Sequence, residues 1–177
     1  MTPGFLLDTC VLSETSRNKP HPSVVRFIET APNLFIPVAA IMEFQLGITE
    51  LCSRHPVKAI QLSAWYQQLL SAGFPIIDTD KDVAEVWGTL AADPRLRNLI
   101  IARPDAKKPR NGQDLHIAAA SLVSRMPIAT FNVRDFMLID SCYPLPGVYN
   151  PLENKWYTRL DSISQSDAAS GGPPGAY

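Results

Sequence analysis

Short apolar runs alternate with longer segments of helical periodicity along most of the chain. Runs of this kind predict β-strands, at Phe5–Leu7, Leu34–Val38, Phe74–Ile77 and Pro127–Phe131. Another apolar stretch lies at 145–149. Between the runs, apolar residues recur at spacings of three and four, as at Val83, Val86 and Leu90, which is typical of helices with one buried face.

The segments between the strands predict helices with recognisable starts and stops. They are expected over Val11–Arg17, Ser23–Ile28, Ala40–Leu51, Pro56–Ala72, 83–90 and Gln113–Arg125. Strands alternating with helices of this length indicate βαβ units, and so an α/β fold whose parallel sheet is covered on both faces. The stretch Asp93–Gly112 contains three prolines and is predicted to be irregular.

The chain has 177 residues, which suits one domain. We place that domain at residues 1–160. Residues 161–177 are rich in Ser, Gly and Pro and are expected to form a flexible C-terminal tail.

Composition excludes several classes of protein. No apolar run approaches the roughly 20 residues of a membrane-spanning helix, and the N-terminus lacks the pattern of a signal peptide. The three cysteines are scattered, as expected for reduced thiols in the cytoplasm rather than for a disulfide frame or zinc site. The net charge of −1 gives no global indication of nucleic-acid binding, so any basic surface must be local.

Four acidic residues fall where the predicted strands end or the helices begin. Asp8 ends the first strand, Glu43 lies early in the helix after the second, Asp114 opens a later helix, and Asp135 follows the fourth strand. Each alone could be a helix cap or turn former. Gathered at one sheet edge, they would repel one another unless a cation neutralised them or protons were retained. Oxygen ligands without His or Cys favour Mg²⁺ or Mn²⁺ over zinc.

Four motifs containing these acids follow one another in the chain. They are Leu6-Leu7-Asp8-Thr9-x-Val11-Leu12-Ser13-Glu14, Ile41-Met42-Glu43-Phe44-x-x-Gly47-Ile48, Asp114-x-x-Ile117-Ala118-Ala119-Ala120 and Thr130-Phe131-Asn132-Val133-Arg134-Asp135-Phe136. In this order they resemble the PIN-domain ribonucleases, particularly the VapC toxins of type II toxin–antitoxin systems and their FitB-like branch. The resemblance extends from about Phe5 to Pro151.

The resemblance implies a three-layer α/β/α PIN-like fold with a central parallel sheet of four to five strands. It also implies a metal-dependent endoribonuclease that uses Mg²⁺ or Mn²⁺, and a cytoplasmic toxin that is inhibited by a cognate antitoxin and often forms a homodimer. The residues that match the family's catalytic and metal-binding acids are Asp8, Glu43, Asp114 and Asp135. Thr9 and Asn132 would be polar neighbours of this site.

Cys10 departs from the family pattern, which usually has Asn or another small polar residue there. A thiol is a poorer hydrogen-bond partner for carboxylates, so Cys10 could alter the site geometry; we expect instead a buried, inert residue. His116 lies two residues after Asp114 and should point to a different face of the helix.

An acidic cleft that binds RNA needs cations around it. Lys107, Lys108 and Arg110 crowd the loop before Asp114, together with Arg95, Arg97 and Arg103. Arg134, Arg17 and Lys19 lie near other motifs. We expect some of these residues, chiefly Lys107, Lys108, Arg110 and Arg134, to contact phosphates, although a solvated charged loop would have the same composition.

Other functions fit parts of the pattern. Phosphatases of the haloacid-dehalogenase type also begin with a strand-end Asp, but they need a second Asp at the position of Cys10. A catalytically degenerate PIN-like interaction module is the main alternative, and cleavage of DNA instead of RNA also stays open. The apolar region Ile60–Leu70 would be either a partner surface or part of the core.

Overall fold

The computed structural model describes residues 4–100 and 112–159, and the strands within them form a single sheet. The strands are β1 (Phe5–Leu7), β2 (Leu34–Pro37), β3 (Ile76–Ile77), β4 (Ile128–Ala129), β5 (Gly147–Asn150) and β6 (Lys155–Arg159). Their order across the sheet is β3-β2-β1-β4-β5-β6. Strands β1 to β5 are parallel, and β6 pairs with β5 in the antiparallel direction.

The helices of the described residues lie between these strands. They are α1 (Thr9–Thr15), α2 (Pro22–Thr30), α3 (Val38–Arg54), α4 (Pro56–Ser71), α5 (Lys81–Ala92), α6 (Gln113–Ser124) and α7 (Val133–Cys142), with a short 3₁₀ helix at Pro94–Leu99. Their starts follow the local sequence. The side chain of Asp80 accepts the N–H of Val83 to cap α5, and Pro22 occupies the first turn of α2, where its missing N–H is harmless. Within the described residues, no helix is both long enough and apolar enough to cross a membrane.

Two apolar cores lie on opposite faces of the sheet, because successive strand residues point to opposite sides. Leu6 belongs to the core that also contains Leu115 of α6 and Phe136 of α7. Leu7, the next residue of β1, belongs to the core that includes Phe27 of α2 and Phe44 of α3. The predicted three-layer α/β/α fold is thereby confirmed.

Three features differ from the sequence-based expectation. The five parallel strands are joined by β6, whose exposed, partly cationic sequence gave little indication of a strand. Helix α7 was not anticipated after β4. The expected irregular stretch begins with the 3₁₀ helix, which buries Leu96 and Leu99 in the core. Residues 101–111 and the predicted tail at 161–177 lie outside the described residues.

The strand order creates a crevice beside β1. From β1 the chain builds the sheet outward through β2 and β3, and it then returns to place β4 on the other side of β1. In open α/β sheets, ligands bind outside the carboxyl ends of the strands at such a switch point. Leu7 of β1 is in register with Ala129 of β4, so Asp8 and Thr130, which follow them, lie side by side at this edge.

Candidate active site

Asp8 ends β1 and is almost completely buried, with 4% of its surface exposed. Its Oδ2 accepts a hydrogen bond from the Thr130 hydroxyl at 2.6 Å and one from the Cys10 thiol at 3.0 Å. Burial raises the pKa of Asp8 above its ordinary value, while these two hydrogen bonds favour the ionised form. Among the described residues, no Lys, Arg or His forms an ion pair with Asp8. An ionised Asp8 therefore stands in a place that favours a positively charged ligand.

Asn132 connects two further carboxylates. Its Nδ2 donates to Oδ2 of Asp114 and to Oδ2 of Asp135, at 3.0 Å each. The two hydrogens of one amide group are enough for both bonds. The backbone N–H of Asn132 donates to the Thr130 hydroxyl oxygen at 2.8 Å, and that hydroxyl in turn donates to Asp8. One continuous set of hydrogen bonds thus links three acids from different parts of the chain.

Helix starts place two of these acids. Asp114 is in the first turn of α6, and that helix begins directly after Gly112. The φ of Gly112 is 67°, which lies in the left-handed region that favours glycine. Asp135 is in the first turn of α7 and is 9% exposed. The partial positive charge of a helix N-terminus stabilises a carboxylate in each position.

Glu43 is on the second turn of α3 and is exposed. The hydrogen bonds through Thr130 and Asn132 link the other three of the four predicted acids. Within residues 4–100 and 112–159, no three His, Cys, Asp or Glu side chains are close enough to form a complete set of metal ligands.

The two residues that follow Asp8 differ in what they bind. Cys10 is half-buried, and its thiol donates to Asp8 and accepts the backbone N–H of Phe131 at 3.2 Å. Cys10 was expected to be buried and inert; it is only half-buried, and the fold of α1 carries its sulfur back to the carboxylate. Its inertness stays a prediction. Thr9 is buried, and its hydroxyl is without a hydrogen-bond partner in the described part of the chain.

Sequence reasoning assigned no role to Thr130, which is completely buried between Asp8 and Asn132. The sequence did contain a signal: Thr130 directly follows the buried strand β4, and Asp8 directly follows the buried strand β1. The two side chains meet only because β1 and β4 are neighbours in the sheet, and the sequence does not show which strands are neighbours.

The predicted phosphate-binding cations fall into three groups. Arg134 is exposed on α7, beside Asp135 in sequence. Arg95 binds both carboxylate oxygens of Asp93, and Arg17 forms an ion pair with the buried Glu14. These two guanidinium groups are occupied within the protein. Lys107, Lys108, Arg110 and Arg103 lie outside the described residues.

His116 forms a hydrogen bond between its Nε2 and the Thr79 hydroxyl, at 2.6 Å. Thr79 lies just beyond β3, so the bond ties α6 to the carboxyl end of an outer strand. Partial burial lowers the pKa of His116, which favours the neutral ring.

Comparison with known proteins identifies the family. The family model described as the PIN domain matches residues 5–139. No curated protein sequence matches the chain.

Solved structures share the fold. FitAB bound to an IR36 DNA fragment superposes with a TM-score of 0.61 at 23% identity, covering 87% of this chain and 99% of that one. FitAcB from Neisseria gonorrhoeae has a TM-score of 0.58 at 22% identity, with coverages of 83% and 97%. DNA-bound VapBC from Salmonella typhimurium has a TM-score of 0.57 at 24% identity, with coverages of 85% and 99%. With the family model matching most of its length, this chain belongs to the PIN domain family.

Proposed function

We propose that this protein is a metal-dependent endoribonuclease and the toxin component of a type II toxin–antitoxin system. The observation that carries the proposal is the hydrogen-bonded group of Asp8, Asp114 and Asp135 at the switch point of the sheet. Three carboxylates linked through Thr130 and Asn132 at one sheet edge are poorly explained as a structural cluster, because their mutual repulsion opposes ionisation.

The donor chemistry supports Mg²⁺ or Mn²⁺ as the cofactor. The acids offer only hard oxygen atoms, and Asp8 lacks a cationic side-chain partner in the described residues. Mg²⁺ usually binds one or two carboxylates and keeps several waters. A site without three closely gathered ligands suits such an ion.

The residues have separate roles in the proposed reaction. When bound, the ion would lower the pKa of water and stabilise charge on the phosphate. Asp8 and Asp114 would hold it, with Thr130 and Asn132 fixing their carboxylates. We assign Asp135 or Glu43 to orient the attacking water and accept its proton. Asp135 lies in the first turn of α7, beside Asn132, and Glu43 is exposed on the second turn of α3.

The partner proposed is a cognate antitoxin, since similar structures include a toxin–antitoxin complex from Klebsiella pneumoniae and VapBC-5 of Mycobacterium tuberculosis, a member of a family of toxin–antitoxin systems. A homodimer and a cytoplasmic location follow the same resemblance. The region Ile60–Leu70 supplies both surface and core, because Ile60 is 70% exposed while Tyr66 and Leu69 are buried. Met42 of α3 and Val57 of α4 are also exposed apolar residues.

Cleavage assays on purified variants test the proposal. We expect the wild type to cut RNA with Mg²⁺ or Mn²⁺ and to stop when a chelator is added. Asp8→Asn and Asp114→Asn should lower cleavage by at least about 100-fold, the scale of a lost charge-stabilising group. Asp82→Asn, an exposed acid in the first turn of α5, is the matched control and should remain fully active.

Two results would contradict the proposal. If Asp8→Asn cleaved RNA as well as the wild type does, the three acids would not form the metal site that the proposed reaction needs. A wild type that binds antitoxin but cuts no RNA under any metal condition would favour the degenerate interaction module. Parallel assays with single-stranded and duplex DNA distinguish a deoxyribonuclease from a ribonuclease.

A further inference from the structure

One oxygen of Asp8 receives both of the side-chain hydrogen bonds that the carboxylate accepts. The Thr130 hydroxyl and the Cys10 thiol both donate to Oδ2. No side chain of the described residues donates to Oδ1. Backbone N–H groups of Thr9 and Cys10 also bond to this carboxylate. Because rotation of an Asp carboxylate has only a broad energy minimum, these donors together fix an orientation that the side chain would not hold alone.

The thiol of Cys10 also joins two strand ends. Its sulfur accepts the N–H of Phe131, which follows β4, while its hydrogen goes to Asp8, which follows β1. The Thr130 hydroxyl lies 3.6 Å from the same sulfur. Cys10 therefore occupies the corner between Asp8 and Thr130, where a side chain must donate and accept at one atom.

We propose that Cys10 is a positioning residue, which helps to fix the orientation of the Asp8 carboxylate and thereby sets the affinity of the site for a divalent cation. This inference rests on the proposed nuclease function. Cys10 itself would touch neither the ion nor RNA. Thiol hydrogen bonds are weak, so its loss should affect cation binding more than folding.

A serine in place of Cys10 retains a group that donates and accepts, whereas alanine removes both functions. A purely packing role predicts the opposite order, since alanine preserves the apolar character of the corner and serine does not. The pair of substitutions therefore separates positioning from packing. Cys142→Ala is the matched control, because Cys142 is also half-buried but lies at the end of α7.

The experiment is titration of the full-length protein with Mn²⁺ by calorimetry, without RNA. We expect Cys10→Ala to weaken Mn²⁺ binding by about 10-fold, as is typical when an outer partner of a metal ligand is removed. Cys10→Ser should bind within about 3-fold of wild type, since its hydroxyl can make the same two bonds. Cys142→Ala should bind as wild type does. Cys10→Val, which keeps the volume without the donor, replaces the alanine variant if that variant does not fold.

Two outcomes overturn the inference, and they are distinguishable from failure of the proposed function. Wild-type affinity in Cys10→Ala or Cys10→Val would show that Asp8 needs no thiol. Mn²⁺ binding that is weakened in Cys10→Ser at least as much as in Cys10→Ala would show that the hydrogen bonds of Cys10 do not set the affinity. If the wild type itself binds no Mn²⁺, the proposed metal-dependent function fails, and this inference fails with it.

Discussion

Asp8 combines burial with a charge that the proposed reaction requires. In the absence of a cation, its ionised carboxylate is stabilised by neutral donors alone among the described side chains. Its pKa is raised because burial outweighs those hydrogen bonds. A buried charge of this kind lowers the stability of the fold while serving function, so its removal should stabilise the protein.

We predict that Asp8→Asn raises the stability of the cation-free protein at pH 7 by about 1 kcal/mol, because it removes a buried negative charge. The raised folded-state pKa means that ionised Asp8 destabilises the fold at pH values above that pKa. This cost disappears as pH falls and Asp8 becomes protonated, so the advantage of the variant should shrink on acidification. Thermal unfolding at pH 7 and pH 5 measures both effects.

Divalent cation provides the control for this prediction. Mn²⁺ should raise the melting temperature of the wild type, because a ligand that binds only the folded state stabilises it. Mn²⁺ should leave the melting temperature of Asp8→Asn nearly unchanged. A variant less stable than wild type at pH 7 without cation would show that the carboxylate is structurally required.

At the scale of elements, the β5–β6 hairpin depends on a close approach at Gly147. A Cβ placed there would lie 2.8 Å from the ring of Trp156 and 3.2 Å from the backbone oxygen of Thr158. The indole also packs against Tyr149 and Phe5, so it has little freedom to move away. The edge strand therefore remains packed because residue 147 has no side chain.

We predict that Gly147→Ala lowers the free energy of unfolding by about 1–3 kcal/mol, the usual cost of overpacking. Gly88→Ala is the matched control. Gly88 is exposed within α5, and a Cβ there would meet no atom within 4 Å. That variant should be more stable by about 0.5–1 kcal/mol, since alanine favours the helix. Urea unfolding measures the free energy of unfolding of both variants. A Gly147→Ala variant as stable as wild type would mean that the hairpin moves enough to make room for the added methyl group.

For the whole molecule, the question is how a chain of net charge −1 attracts RNA to a group of acids. Arg95 and Arg17 form ion pairs with Asp93 and Glu14. Among the described residues, Arg134, Arg97 and Lys19 are predicted contacts that are exposed, and Arg134 is next to Asp135 in sequence. The loop cations Lys107, Lys108 and Arg110 remain a prediction from sequence.

We predict that neutralising Lys107, Lys108 and Arg110 together to Gln weakens RNA binding at low salt. Each lost phosphate contact should also reduce the dependence of log affinity on log salt by about one. Fluorescence anisotropy with a labelled RNA and the inactive Asp114→Asn protein measures binding without cleavage. Unchanged affinity at low salt would contradict a role for this loop.

The sequence by itself determined the features that depend on local pattern. Alternating strands and helices indicated an α/β fold, because apolar periodicity follows the geometry of each element. The same pattern placed Asp8 at a strand end and Asp114 at a helix start, as the structure has them. It placed Asp135 after the fourth strand, but the helix that contains Asp135 was not predicted. Their resemblance to PIN domains was confirmed by the family match.

Only the tertiary structure decided which side chains meet. Thr130 contacts Asp8 across 122 residues of sequence because β4 lies beside β1, and strand order depends on how helices pack on both faces. The same packing brings Cys10 to the carboxylate and adds β6 to the sheet edge. Such contacts depend on the direction of each side chain within the assembled fold, which periodicity along the chain does not specify.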